Sequence, residues 1–315
     1  MLSIIIALWM ILLSTGNGFR SKLSCIAQIR SSPALYLNRI FFEESECQKT
    51  ENDHIFVQLN ASDDRYLHIK NILKSEVGDI LKVGILNRGV IDSARLVDSS
   101  SETIRFDLGR SSSIRDNPRP NVDLILAVPR PLRLERLLPV ISSLGVGRIV
   151  LVGADKVEKD YFGSHLFRRP QALRACLVEG LSQAGVDCNV PEIVVRKNLV
   201  KFLQQDVDVL FPPHDYFRII FHPQTDSPGK RISRLEGRCG VSKAVVAIGP
   251  EGGWTDEELI RFENMGFENL HLGNRILRTD TAVRSSQTAI VIVTALQVVS
   301  SLALVHEWSS LNMDK

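Results

Sequence analysis

The chain lacks a CxxC pair, and its cysteines, histidines and carboxylates form no cluster at metal-ligand spacing. Its five cysteines, Cys25, Cys47, Cys176, Cys188 and Cys239, therefore read as reduced thiols, with no disulfide framework and no zinc. Neither G-x-x-x-x-G-K-[ST] nor G-x-G-x-x-G occurs, so the usual grips on the pyrophosphate of ATP or NAD are missing. Strong charge of one sign is absent too: the net charge is +2, which says little about partners. At 44% hydrophobic and 23% charged residues, the bulk of the chain is neither disordered nor a membrane-spanning bundle. With 315 residues, the length predicts about two domains.

What is present begins with the N-terminus. "SIIIALWMILL" has the length of a signal-peptide apolar core and is too short for a membrane span. The following stretch carries Arg20, Lys22, Arg30 and Arg39 with several serines, and its first acid is Glu43. An acid-poor, Arg- and Ser-containing stretch is transit-like. A signal segment followed by a transit segment resembles the leader of plastid proteins, and a mitochondrial leader is the alternative. Residues 1–36 are set aside as a leader, leaving no stable membrane anchor in the mature protein.

Residues 37–110 read as a small β domain. "HIFVQL", "DILKVGIL", "GVIDSARLV" and "ETIRFDL" are short strand-like runs separated by turn residues. Short strands at this spacing suggest a small barrel. "SDDRYLHIKNIL" predicts a helix capped by Ser62. "GRSSSIRDNPRPN" places a linker at about 109–120. Nearby, Arg110, Arg115, Arg119, Arg130, Arg133 and Arg136 form a basic stretch with three acids among them, suited either to a phosphate backbone or to a solvated face.

From 119 to 305 the texture becomes alternating strand and helix, which implies a parallel sheet covered on both faces. "VDLILAV", "RIVLVG", "RIIFHP", "AVVAIGP" and "NLHL" read as strands. "LRLERLLPVISSLG" reads as a helix that Pro139 should kink or restart, and "FRRPQALRACLVEGLSQAG" as another. Thr255 and Glu258 make a T-x-x-E capping box at the start of a further helix that Gly266 ends. A last helix, 281–305, is apolar over much of its circumference, which suggests a partner subunit against one face.

Ligands of open α/β sheets bind beyond the carboxyl ends of the strands. Three segments leave strands there: "HPQTD", "GPEGGW" and "GNRILRTDTA". The glycines allow close backbone approach, while Glu251 would repel a phosphate, so a neutral or cationic nucleoside suits the loops better. Tight connections with no ligand are the bland alternative.

"AIGPEGGWTDEEL" followed by "LGNRILRTDTA" resembles the signature of the 16S ribosomal RNA (uridine-N3) methyltransferase family of the SPOUT superfamily. "NRIFF", "LGVGRIVLV", "EKDYF" and "VEGLSQAGVDCNVPEI" extend the resemblance over about 38–303. It implies a PUA-like RNA-binding barrel joined to an α/β domain with a trefoil knot, acting as a homodimer on ribosomal RNA or the small ribosomal subunit, not on DNA. It implies S-adenosylmethionine as cofactor. Ile248, Gly249, Pro250, Glu251, Gly252 and Gly253 would line it from one loop. Leu272, Gly273, Arg275, Ile276, Leu277, Arg278 and Thr279 would do so from the other, with His222 and Pro223 near the adenosine. Arg278 is the candidate for stabilising the uracil oxygen or an RNA phosphate, and Glu251 for the base or for shaping the loop. The chain departs from the family pattern at Pro139, Val140, Ser143, Asp187 to Asn189 and Asp280. Those departures leave room for a non-catalytic RNA-binding assembly factor on the same fold.

Overall fold

A computed structural model describes residues 39–222, 230–231, 243–271 and 282–283. Residues 40–110 build a curled six-stranded sheet in the order β1-β4-β5-β6-β3-β2. Its strands are β1 (Ile40–Phe42), β2 (Gln48–Lys49), β3 (His54–Asn60), β4 (Ile80–Ile85), β5 (Gly89–Ser99) and β6 (Thr103–Arg110). The four long strands are those the alternation predicts. Ile55, Val57 and Leu59 of β3 and Ile104, Phe106 and Leu108 of β6 turn inward, while Gln58 and Asn60 face water. The edge strands β1 and β2 are too short to leave a periodic trace. Register shifts at Ile55/Phe56, Leu81/Val83 and Leu96/Asp98 bend the ladder, which is what curls the sheet around its core.

The helix expected after β3 forms as α1 (Asp64–Leu67), but its cap is Asp63 rather than Ser62. The Asp63 carboxylate accepts from the Arg65 amide at 2.8 Å. From His68 to Leu73 the chain continues as a π turn.

The second half is a seven-stranded, all-parallel sheet in the order β11-β13-β10-β12-β7-β8-β9. The strands are β7 (Val122–Ala127), β8 (Arg148–Val152), β9 (Glu192–Arg196), β10 (Tyr216–Phe221), β11 (Lys230–Arg231), β12 (Lys243–Ile248) and β13 (Glu268–His271). Every residue of the central β7 is buried, as its continuous apolar run predicts. Its one carboxylate, Asp123, accepts from the Tyr216 hydroxyl at 2.8 Å, and burial pushes its pKa up.

The helices are α2 (Pro131–Ser143), α3 (His165–Arg168), α4 (Pro170–Ala184), α5 (Leu199–Gln205), α6 (Val207–Leu210) and α7 (Asp256–Asn264). α2 runs through Pro139 instead of restarting there. α3 and α4 replace one expected helix. Pro170 has no N–H to continue the first and sits at the opening position of the second. α4 lies so close on α2 that a Cβ on Gly180 would be 2.0 Å from the Pro139 carbonyl oxygen. β9, α5 and α6 are not among the elements read from the sequence. β9 is a half-buried edge strand, and each of the two helices is short.

The two halves meet through Arg39, which is 3% exposed. Its guanidinium donates to the Val83, Ile91 and Gly185 carbonyls and to Asp92. Ser182 and Arg39 exchange two further bonds. Phe41, Leu86, Val90, Leu181 and Cys188 pack beside them. The stretch read as a linker is held near its middle, where Arg115 and Val90 exchange backbone bonds of 3.0 Å each. Of the expected last helix, Ala282 and Val283 are helical and Val283 is buried; the remainder lies outside the described residues.

Candidate active site

The chain lays down β7, β8 and β9 outward in one direction, then returns to β10 on the far side, and β12 fills the place between β10 and β7. Such a reversal opens a crevice at the carboxyl ends of the strands. The three loops singled out above leave β10, β12 and β13, which are neighbours in register, with Phe221 beside both Ile248 and Leu270. One edge of the sheet therefore carries all three exits. Of their residues, His222 and the whole of Ile248 to Trp254 are described. Pro223 and Leu272 to Thr279, with Arg275 and Arg278 among them, lie outside the described residues.

After β12 the chain turns at once, and the Gly253 amide donates to the Pro250 carbonyl at 2.9 Å. Gly253 has φ +71°, a left-handed conformation that a side chain would strain. Its Cα faces the His222 ring: a Cβ there would stand 3.6 Å from His222 Cε1. Gly249 lies against the Trp254 indole, where a Cβ would come within 3.1 Å of Nε1. Trp254 itself is buried, edge-on to Phe262, which is edge-on to Phe267.

The turn is held from both sides. Arg133 of α2 forms an ion pair with Glu251. Lys156, in the loop after β8, donates to the Gly252 carbonyl at 2.8 Å. Behind the turn the expected capping box forms, with Thr255 N–H on Glu258 Oε2 at 2.9 Å and Glu258 N–H on Thr255 Oγ1 at 3.3 Å. Glu258 Oε1 also accepts from the Asp155 amide at 2.8 Å. Arg133, Lys156 and Asp155 were not among the residues predicted for the site. Arg133 stood in the basic stretch, but its partner is 118 positions away, a distance at which no local pattern signals pairing.

Among the described residues, two buried polar atoms beside this turn have no hydrogen-bond partner, Trp254 Nε1 and His222 Nδ1. An unsatisfied buried donor costs about 1–3 kcal/mol, and such atoms in a native fold call for an explanation. Burial pushes the His222 pKa down, Lys156 adds to that, and Asp256 opposes it, so the ring is held neutral.

An open parallel sheet with a glycine turn, a buried imidazole and a buried indole N–H side by side at the carboxyl ends of its strands is the arrangement of an α/β ligand-binding domain. Comparison with known proteins narrows this class. The family model for the RNA methyltransferase domain matches residues 115–291, and the chain belongs to that family. It is 32% identical to ribosomal RNA small subunit methyltransferase E of Treponema pallidum over 246 residues, 78% of this chain and 87% of that one. Identity with ribosomal RNA small subunit methyltransferase E 1 of Borreliella burgdorferi is 24%, over 71% of this chain and 88% of the relative. Among solved structures, ribosomal RNA small subunit methyltransferase E of Neisseria gonorrhoeae, bound to S-adenosyl methionine, superposes with a TM-score of 0.61. It is 21% identical and covers 81% of this chain and 96% of its own, which is a likeness of fold.

Proposed function

We propose that this protein transfers a methyl group from S-adenosylmethionine to N3 of a uridine in small-subunit ribosomal RNA. The observation that carries the reading is the pair of buried atoms, Trp254 Nε1 and His222 Nδ1, that flank the glycine turn with no partner among the described residues. The indole N–H would offer a donor to a nucleoside acceptor, and the uncharged imidazole would add no repulsion toward a cationic cofactor. Gly252 and Gly253 leave the backbone open to close approach. The family and the names of the relatives point the same way.

When bound, the cofactor supplies an electrophilic methyl on sulfur. Methylation there would have uridine N3 give up its proton to solvent water and form an N–C bond to that methyl as the C–S bond breaks, with S-adenosylhomocysteine leaving. The chain's part is to place these groups and to steady the charge that develops on the uracil oxygens. Arg278 is assigned to that oxygen or to an RNA phosphate. Leu272, Ile276 and Leu277 are assigned to packing on the adenine. Glu251 is engaged by Arg133, which favours its shaping the turn; to act as a base it must first give up that ion pair. In this reading the C-terminal segment threads a knot, two copies pair near the site, and the leader directs the protein to a plastid, with the mitochondrion as alternative.

The test titrates the purified protein with S-adenosylmethionine by calorimetry. It then incubates the protein with small-subunit ribosomal RNA and maps modified uridines by mass spectrometry. Binding with a new N3-methyluridine is the expected result. Absence of cofactor binding sinks the reading, and binding with no methylation of rRNA or of the intact subunit favours a non-catalytic assembly factor.

A further inference from the structure

A second concavity, of about 900 Å³, lies beyond the carboxyl ends of β8 and β9, next to the start of α7. It shares a wall with the glycine turn: Lys156, in the loop that lines it, reaches the Gly252 carbonyl, and Asp155 and Glu258 are bonded across it. Its floor is apolar, made by the buried Val157 and Leu199, and Phe162 adds a half-buried aromatic ring. Glu258 is buried there too, but both its oxygens already accept backbone N–H groups.

The rim carries Lys159, Arg168, Lys197 and Arg261, all exposed. Among the described residues none of the four has an ion pair or a side-chain hydrogen bond. A single exposed Lys or Arg is ordinary solvated surface. Here four of them, brought by four separate segments (the turn after β8, α3, the exit of β9 and α7), converge on one apolar-floored hollow. Two rim acids, Asp160 and Glu257, are also unpaired and can accept from base N–H groups.

Cations for a phosphodiester, an aromatic face for a base and acceptors for its edge together describe a nucleotide. The volume holds one with room for its sugar. We infer that this concavity docks a nucleotide flanking the modified uridine, with its phosphodiester on the rim cations and its base against Phe162. The inference rests on the RNA-methyltransferase reading above, because only then does the neighbouring turn hold the cofactor for the same strand.

The experiment measures binding of fluorescein-labelled small-subunit ribosomal RNA across a salt series. The proteins compared are the wild type, the double variants Lys159→Ala/Lys197→Ala and Arg168→Ala/Arg261→Ala, and Phe162→Leu. Each double variant is expected to weaken RNA binding about tenfold or more at low salt and to flatten the log–log salt slope by about 1.4, since each single-strand phosphate contact contributes ~0.7. Phe162→Leu is expected to weaken binding about fivefold or more with the slope unchanged, as lost stacking does. Affinity for S-adenosylmethionine stays at the wild-type value in all three, which shows that they fold. Variants that bind cofactor and also bind RNA with wild-type affinity and slope overturn the inference while leaving the enzymatic reading intact. Displacement of the RNA by micromolar adenosine 5′-monophosphate overturns it as well, by assigning the hollow to a free mononucleotide. A wild type that binds neither cofactor nor RNA removes the enzymatic reading and this inference with it.

Discussion

Glu258 bonds a residue 103 positions before it as well as its own helix: one carboxylate oxygen accepts the Asp155 amide at 2.8 Å, and the other accepts the Thr255 amide at 2.9 Å. The first bond fixes the loop after β8, and the second starts α7 directly behind the glycine turn. Both are charge-assisted, and Glu258 is only 3% exposed. Glu258→Ala should therefore lower stability by about 2–4 kcal/mol, read by urea unfolding. Glu258→Gln keeps the shape with one acceptor and should fall between. An alanine variant within 0.5 kcal/mol of wild type would show that the bonds are replaced by water.

Replacing glycine by alanine inside a helix ordinarily stabilises it by up to about 1 kcal/mol. Gly180→Ala should do the opposite. The new methyl meets the Pro139 carbonyl carbon at 2.7 Å as well as its oxygen at 2.0 Å, and both are main chain that moves only if α2 and α4 separate. A loss of about 2 kcal/mol or more is expected, within or above the usual cost of overpacking. An unchanged or raised Tm refutes the close approach.

The two neighbouring glycines of the turn should respond differently. At Gly252 a Cβ meets only the Lys156 side chain, Cδ most closely at 2.9 Å, and that flexible chain can swing away. At Gly253 a Cβ would make only ordinary contact with His222, at 3.6 Å, but φ +71° costs an L residue about 1–2 kcal/mol. Gly253→Ala should thus lower the unfolding midpoint clearly, and Gly252→Ala only slightly. Equal losses count against the backbone geometry described for the turn.

His222 supplies a pH dependence. Burial lowers its pKa in the folded state, so as pH falls the unfolded chain takes up the proton first. The stability it contributes is complete above the unfolded pKa of about 6.5 and is lost progressively below it, until the folded ring is also protonated. Urea unfolding between neutral and mildly acidic pH should show a steeper fall for wild type than for His222→Gln. Parallel curves reject the assignment.

The sequence displayed the fold wherever short-range pattern decides it. The mostly apolar run of β7 and the Thr255–Glu258 box are local, and both are where the pattern predicts. β9 escaped because a half-buried edge strand has neither clean alternation nor a fully apolar run, and the helix cap moved by one residue because Ser62 and Asp63 are chemically equivalent candidates. The positions of Gly249, Gly252, Gly253 and His222 directly after strands were legible. Arg133 on Glu251, Lys156 on Gly252 and Asp155 on Glu258 were not, because each pairing is created by the sheet order and leaves no mark within its own segment. The trefoil and the second loop rest on resemblance, and Leu272 to Thr279 lie outside the described residues.

Arg39 gives the molecule a different count of its parts. A single guanidinium bonds carbonyls of the curled sheet and of the α4 terminus together. Melting either half breaks the bonds that Arg39 makes across the seam and uncovers the apolar contact of Phe41, Leu86, Val90 and Leu181. By architecture the protein has two modules, but in a calorimeter it should pass through one cooperative transition, with neither half surviving the loss of its neighbour.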